Sequence, residues 1–291
     1  MEAYTDFAAV YDTFMDETPY EEWGVFVSSL IEKYGVSKPY SVGTNISSEN
    51  EENIKMGDAT DEKLPSEDTK EALEQEKNLV VELGCGTGSF TMVMAKKGYD
   101  IMGIDLSPEM LDIARRKSSK AGLDIMFLEQ DMRELDLYCT TGTVVSVCDS
   151  INYLLEDEDV VETFKLVNNF LFPKGIFIFD FNTLHKYRDV IGDATIAENR
   201  EDCSFIWENY YHEEEHINEY DVTIFAKCDK DDELFRRSVE THYQRGYTLE
   251  EMKGFVAAAG LEFVTAIDAD THAEPTDDSE RIYVVCRESG K

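Results

Sequence analysis

The densest chemistry in the chain lies in Leu79-Val80-Val81-Glu82-Leu83-Gly84-Cys85-Gly86-Thr87-Gly88-Ser89-Phe90, where an apolar run closes on an acid and opens into three alternating glycines. Such a loop lets backbone approach a ligand, because a side chain would hold it away and because the turn calls for positive φ. The spacing is GxGxG, not the dinucleotide GxGxxG, and alone it also reads as a plain tight turn. A second apolar run, Tyr99-Asp100-Ile101-Met102-Gly103-Ile104-Asp105, then ends on a carboxylate about 20 residues beyond the glycines, the offset at which an acid reaches ribose hydroxyls. Asp105 is the ribose candidate. Loop and acid together read as strands delivering backbone and a carboxylate to an adenosyl cofactor.

The elements that must hold these groups follow from local signals. Ser107-Pro108-Glu109-Met110 opens a helix, with Ser107 as N-cap and Pro108 at the first helical position, and Gly122 stops it after about Ala121. A third strand, 124–129, leads to Gln130-Asp131-Met132-Arg133, and a fourth, 143–147, ends in Cys148-Asp149-Ser150-Ile151-Asn152-Tyr153. Four strand ends then face one crevice.

With these motifs, and with Val10-Tyr11-Asp12-Thr13-Phe14-Met15 near the N-terminus, the chain resembles the class I S-adenosylmethionine-dependent methyltransferases over nearly its whole length apart from residues near 38 to 76. It is most similar to small bacterial members with an N-terminal Tyr-Asp element and an Asp-Met-Arg element, a plan shared by sugar-amine N-methyltransferases and glycine N-methyltransferase. The resemblance implies an α/β fold: a Rossmann-like seven-stranded mixed sheet of order 3-2-1-4-5-7-6 with helices on both faces, its last strand antiparallel, plus an inserted antiparallel β subdomain. It implies S-adenosylmethionine as cofactor, S-adenosylhomocysteine as product and no metal. Position by position, Glu82 and Gly84 lie near the methionine moiety and Asp105 holds the ribose. Leu106 and Met110 flank the adenine, which Asp131 and Met132 also contact. Cys148 offers backbone to the aminoacyl end, and Cys85, Gly86 and Gly88 complete the loop. Tyr11 and Trp23 are the expected contacts from the N-terminal helices.

The expected organisation is a helical lid at 1–37, an acidic insertion at 38–77, the cofactor-binding core at 78–199 and 247–291, and an antiparallel β subdomain at 200–246 that roofs the acceptor site. Apolar residues at 3- and 4-residue spacing mark helices between Tyr4 and Tyr34. The insertion, typified by Ser47-Ser48-Glu49-Asn50-Glu51-Glu52-Asn53, has too little apolar surface to offset ordering and should be flexible, with one polar helix at 69–77. Aromatic and β-branched runs at 205–211, 217–227 and 234–243 predict the roof strands. Thr248 with Glu251 forms a capping box for a helix to Gly260, and runs at 261–267 and 280–286 close the sheet.

Composition narrows the acceptor. Lysine and arginine number 27 against 62 acids, a net charge of −35, and no basic face is present to grip nucleic acid through its phosphates. This makes nucleic acid an unlikely partner; the acidity itself reads either as a solvated, solubilising surface or as a preference for neutral or cationic acceptors. No apolar run approaches the roughly 20 residues of a spanning helix, and six scattered cysteines without a CxxC pair fit reduced thiols and a cytoplasmic setting. A monomer or homodimer is expected.

His212-Glu213-Glu214-Glu215-His216 matches the HExxH string of zinc hydrolases. That chemistry needs a helix. On a strand the two histidines stand about 13 Å apart and cannot share a metal. Methyl transfer is an in-line displacement in which alignment and desolvation dominate, and a proton must leave the acceptor. Tyr11, Asp149, Asn152, Tyr153, His242 and Arg245, at strand ends or on the roof, are the candidates for that step. The expected function is methyl transfer to an amine or hydroxyl of a small molecule. An RNA or protein methyltransferase, or a non-catalytic cofactor-binding module, are the alternatives.

Overall fold

The computed structural model describes residues 7–40, 67–228 and 231–291. Most of the acidic insertion expected to be flexible at 38–77, from 41 to 66, lies outside the described residues.

Two helices lead the chain, α1 (Ala8–Phe14) and α2 (Tyr20–Tyr34), and α3 (Glu67–Asn78) carries the polar helix two residues further back than its pattern suggested. Then strands and helices alternate: β1 (Val80–Leu83), α4 (Ser89–Lys96), β2 (Ile101–Asp105), α5 (Pro108–Lys120), β3 (Met126–Glu129), β4 (Thr141–Ser146), α6 (Asp157–Phe170) and β5 (Leu171–Asn182). The Ser107 hydroxyl accepts from the Met110 N–H and fixes the start of α5. A second sheet, called the roof because it stands at the place in the chain where one was expected, is formed by β6 (Thr195–Asn199), β7 (Cys203–His212), β8 (Ile217–Cys228) and β9 (Asp231–Arg245) and interrupts the alternation. It resumes with α7 (Leu249–Ala258), opened by the complete Thr248–Glu251 capping box, and ends in β10 (Leu261–Asp268) and β11 (Arg281–Glu288).

The main sheet has the order β10-β11-β5-β4-β1-β2-β3. Its inner strands pair in parallel, while β11 runs antiparallel to both β5 and β10. This is the mixed seven-stranded sheet expected. Residues on both faces are apolar because both faces are covered. On β5, Phe177, Phe179 and Phe181 join Phe164, Met252 and Val256 on one face, and Ile176 and Ile178 join Val27, Ile31 and Met94 on the other. Strand order reverses between β1 and β4, and a crevice opens at the carboxyl ends there.

The second sheet, β6-β7-β8-β9, is antiparallel throughout. It begins at Thr195, five residues before the expected subdomain, because the short run Thr195-Ile196-Ala197 pairs as an edge strand that its sequence alone does not announce. Its inner face, with Phe205, Tyr220, Val222 and Ile224, packs against Val10 and Phe14 of α1. Roof and α1 therefore share one apolar core. His212 ends β7 and His216 sits in the following turn with φ 58°, so the HExxH string spans a hairpin. Among the described residues no helix is long and apolar enough to cross a membrane, and no group of three or more His, Cys, Asp or Glu side chains is arranged to hold a metal.

Candidate active site

A cleft of about 560 Å³ opens at the carboxyl ends of β1 to β4. Its floor is the glycine loop. Gly84, Gly86 and Gly88 all have positive φ, at 70°, 53° and 73°. Only at Gly86 would an added Cβ meet nothing within 4 Å, so its bare Cα faces open space. At Gly84 a Cβ would stand 2.4 Å from the Ser150 hydroxyl, and at Gly88 3.0 Å from Ala114 and Phe127. Gly88, expected at the ligand, thus lies outside the cleft lining and is needed for the packing of α5 and β3 on the loop.

Two acids face the cleft from β1 and β2. Asp105 accepts the Gly86 N–H at 2.7 Å and the Ser107 N–H at 2.9 Å, which ties loop to helix, while burial raises its carboxyl. Glu82 is buried and accepts from the Thr91 hydroxyl. Burial pushes its carboxyl up to about 8, with the Thr91 bond opposing and the Asp105 charge adding. A buried acid so raised is neutral at pH 7 and poised to ionise beside a cation. At the far end the Arg133 guanidinium bonds Asp131 at 2.6 Å and Asp159 at 3.1 Å, and holds the Asp131 carboxyl below its ordinary range. Met110, Met132 and Leu106 add apolar surface there, Leu106 being 63% exposed at the rim.

The other end is lined by Tyr11, Tyr20, Cys148 and Tyr153. Tyr11 is within hydrogen-bond reach of the Tyr20 hydroxyl and the Cys148 thiol. Burial pushes that thiol up to about 12, with Asp149 adding, so it is a neutral, unreactive SH. Asp12, next to Tyr11 on α1, accepts from Thr87 Oγ1 at 2.6 Å and pairs with Lys117 Nζ at 2.6 Å.

A family model described as a methyltransferase domain matches residues 80–175. Over 289 residues the chain is 33% identical to the Bacillus subtilis (strain 168) protein named "Putative methyltransferase YqeM", spanning 98% of this chain and 97% of that protein. The chain belongs to the class I S-adenosylmethionine-dependent methyltransferases. Solved structures agree in fold. An S-adenosylmethionine-dependent methyltransferase from Clostridium acetobutylicum ATCC 824 superposes with a TM-score of 0.75 at 22% identity, covering 99% of this chain and 100% of that one. CalS10 from Micromonospora echinaspora, an amino pentose methyltransferase solved with S-adenosylmethionine bound, gives 0.62 at 15% identity over 99% of each chain.

S-adenosylmethionine is thus the methyltransferase's cofactor, and the cleft fits it. The open Cα of Gly86 leaves room for a ligand against backbone. The Asp105 carboxylate is fixed by two N–H donors with lone pairs to spare, and Leu106 leaves an apolar face bare for a ring. Glu82 lines the cleft as a buried acid able to ionise beside a cation.

Of the residues singled out from sequence, the methyltransferase brings Tyr11, Glu82, Gly84, Cys85, Gly86, Asp105, Leu106 and Met110 to the cleft, with Asp131, Met132, Cys148 and Tyr153. Trp23 is not there. It packs edge-on against Tyr20 and lies over the Arg281 guanidinium, and Tyr20, one turn earlier, takes the lining position. Four candidates for proton transfer also stand back from the cleft lining. Asn152 is fully buried and spends its amide on the backbone of Asn182 and Arg245, locking strand ends together. Arg245 pairs with Asp157 at 2.7 Å and Glu251 at 3.3 Å, which pins β9 to α6 and α7. Asp149 is held by Arg281 and Gln244, each at 2.7 Å. His242 is buried, stacked on Tyr220, and stands behind the cleft-lining Tyr153, whose hydroxyl is 3.4 Å from its Nδ1. Sequence reasoning missed Tyr20 and Thr87, which line the cleft, and Arg281, which holds Asp149 behind it, and quoted Asp12 without a role. The Tyr-Asp element was the available signal for Asp12; Arg281 comes from the last strand and carries no local signal.

Proposed function

We propose that this methyltransferase acts on an amine or hydroxyl of a small neutral or cationic metabolite. The observation that supports it is the absence of any basic side chain among the described residues lining the inner end of the cleft, where Tyr11, Tyr20, Cys148 and Tyr153 meet Glu82. Arg133, the only basic residue among the described lining residues, sits at the opposite end and is engaged by two carboxylates. An anionic acceptor would find no basic side chain to pair with there and would have to share the inner end with the buried Glu82. A polyanion would in addition approach a chain of net charge −35.

The bound cofactor supplies a methyl group activated on a sulfonium. The chain's own part is alignment, exclusion of water and removal of the acceptor's proton. Tyr11, Tyr20 and Tyr153 present hydroxyls that can accept from or donate to an amine or alcohol. Phe205 and Tyr220 of the second sheet pack with Val10 and Phe14 of α1, next to Tyr11 of this end, which supports a role for that sheet in closing it to water. Tyr153 hydrogen-bonds Tyr220 at 2.7 Å and lies 3.4 Å from His242 Nδ1, a path along which the acceptor's proton leaves. All six cysteines are unpaired, which supports a reducing, cytoplasmic setting.

The test supplies the protein with methyl-labelled S-adenosylmethionine and, separately, fractions of small metabolites, total RNA and total protein. Label is expected in the metabolite fraction, in a neutral or cationic product. Label confined to RNA or protein would overturn the small-acceptor reading.

A further inference from the structure

The turn after β4 is built in a way that ordinary residues resist. Cys148 and Asp149 are consecutive, neither is glycine, and both have left-handed backbones, with φ 63° and 54°. L-residues avoid that region because Cβ crowds the carbonyl, so two in succession require the surroundings to impose them. The imposing group is Asp180. This residue of β5 is fully buried, and its two carboxylate oxygens accept the Cys148 N–H at 3.0 Å and the Asp149 N–H at 2.8 Å.

Arg281 of β11 completes the clamp. Its Nη1 stands 3.5 Å from Asp180 and its Nη2 2.7 Å from Asp149, while Nε donates to Asn182 Oδ1 at 3.2 Å. A buried carboxylate with two N–H donors and a guanidinium is adequately compensated; without them it would not stay charged. The arrangement has a directional consequence. With its N–H spent on Asp180, the backbone group that Cys148 has left for a ligand is its carbonyl, an acceptor. Cys148 lines the inner end of the cleft.

We propose that Asp180 and Arg281 are positioning residues for the cofactor's aminoacyl arm, holding the Cys148–Asp149 turn left-handed so that an acceptor carbonyl meets the arm's ammonium. The proposal rests on the S-adenosylmethionine site described above and assigns a role to two residues that do not touch the ligand themselves. It also explains why the closing antiparallel strand matters to the cleft: β11 brings the guanidinium that neutralises Asp180.

Calorimetry with two ligands tests it. S-adenosylhomocysteine and 5′-methylthioadenosine share adenine, ribose and thioether sulfur, and only the first carries the aminoacyl arm. In Asp180→Asn the side chain turns an N–H donor toward one of the two backbone donors. The expected result is at least a tenfold rise in Kd for S-adenosylhomocysteine with 5′-methylthioadenosine within about twofold of wild type. Adding Cys148→Gly, which accepts the left-handed backbone without strain, should recover much of the lost affinity. Equal weakening of both ligands, or of neither, would overturn the proposal. Should Asp180→Asn not fold, Arg281→Met is measured instead: the same split between ligands is expected, and an unchanged ratio overturns the proposal. Failure of wild-type protein to bind either ligand would instead overturn the cofactor site itself.

Discussion

Asp12 and Lys117 meet at 2.6 Å beside Thr87 and Ser89 of the glycine loop, joining α1 to α5. The same ammonium donates to Ser89 Oγ at 2.7 Å, and Asp12 also accepts from Thr87, so helix and loop share one polar knot. Since α1 belongs to the apolar core of the roof, the knot fastens the roof's inner layer to the cofactor floor. Both partners are partly exposed, and such a pair stabilises a fold by about 0–1 kcal/mol.

Asp12→Ala should therefore leave the melting temperature nearly unchanged. It should raise the dissociation rate of S-adenosylhomocysteine several-fold in stopped-flow measurements, with a larger effect at low salt. A large loss of stability would show that α1 is fixed mainly through this knot.

Asp105→Ala removes the acceptor for the Gly86 and Ser107 N–H groups and, on the proposed reading, the carboxylate for the ribose. Hydrogen bonds to charged groups are worth about 1.5–3 kcal/mol each, so cofactor affinity should fall roughly 10- to 100-fold by calorimetry. Wild-type affinity in this variant would place the ribose elsewhere.

Gly84→Ala and Gly86→Ala should part company. The first puts a methyl 2.4 Å from the Ser150 hydroxyl at φ 70°, and should cost roughly 2–4 kcal/mol of stability in urea titration. The second has free space around it and should cost about 1–2 kcal/mol for its backbone alone, but its methyl enters the cleft and should weaken cofactor binding. Similar stability in both variants would contradict this difference in surroundings.

Glu82 makes stability depend on pH in a stated direction. Its carboxyl is raised from 4.5 to about 8 in the folded protein. The native state holds this proton more tightly than the unfolded chain, so stability is greatest below the unfolded value and falls as pH rises from about 4.5 to 8. The full difference is of the order of 4–5 kcal/mol. Glu82→Gln has no proton to lose, and its melting temperature should fall less steeply between pH 5 and 8 than that of wild type. Parallel curves for the two proteins would show that Glu82 titrates normally.

The chain's local chemistry by itself determined the fold and the floor of the site. The glycine loop, Asp105 at a strand end, the Ser107 cap and the Thr248–Glu251 box are short-range features, set by residues a few positions apart and therefore readable in order. Continuous apolar runs in β1, β4 and β5 left a sheet covered on both faces as the way to bury them.

Tertiary structure decided the walls. Trp23 and Tyr20 share a helix, and only the rotation at which α2 docks on the sheet put the tyrosine in the cleft and the tryptophan over Arg281. Sequence placed His242 on the roof, but packing set Tyr153 between it and the ligand. Arg281 and Asp149 are 132 positions apart, and Asp180 and Cys148 are 32 apart; they meet because β11 pairs antiparallel with β5, and β5 lies beside β4. A buried charge is compensated by whichever partner the strand order delivers, and strand order is a property of the whole sheet, which no local run of residues encodes.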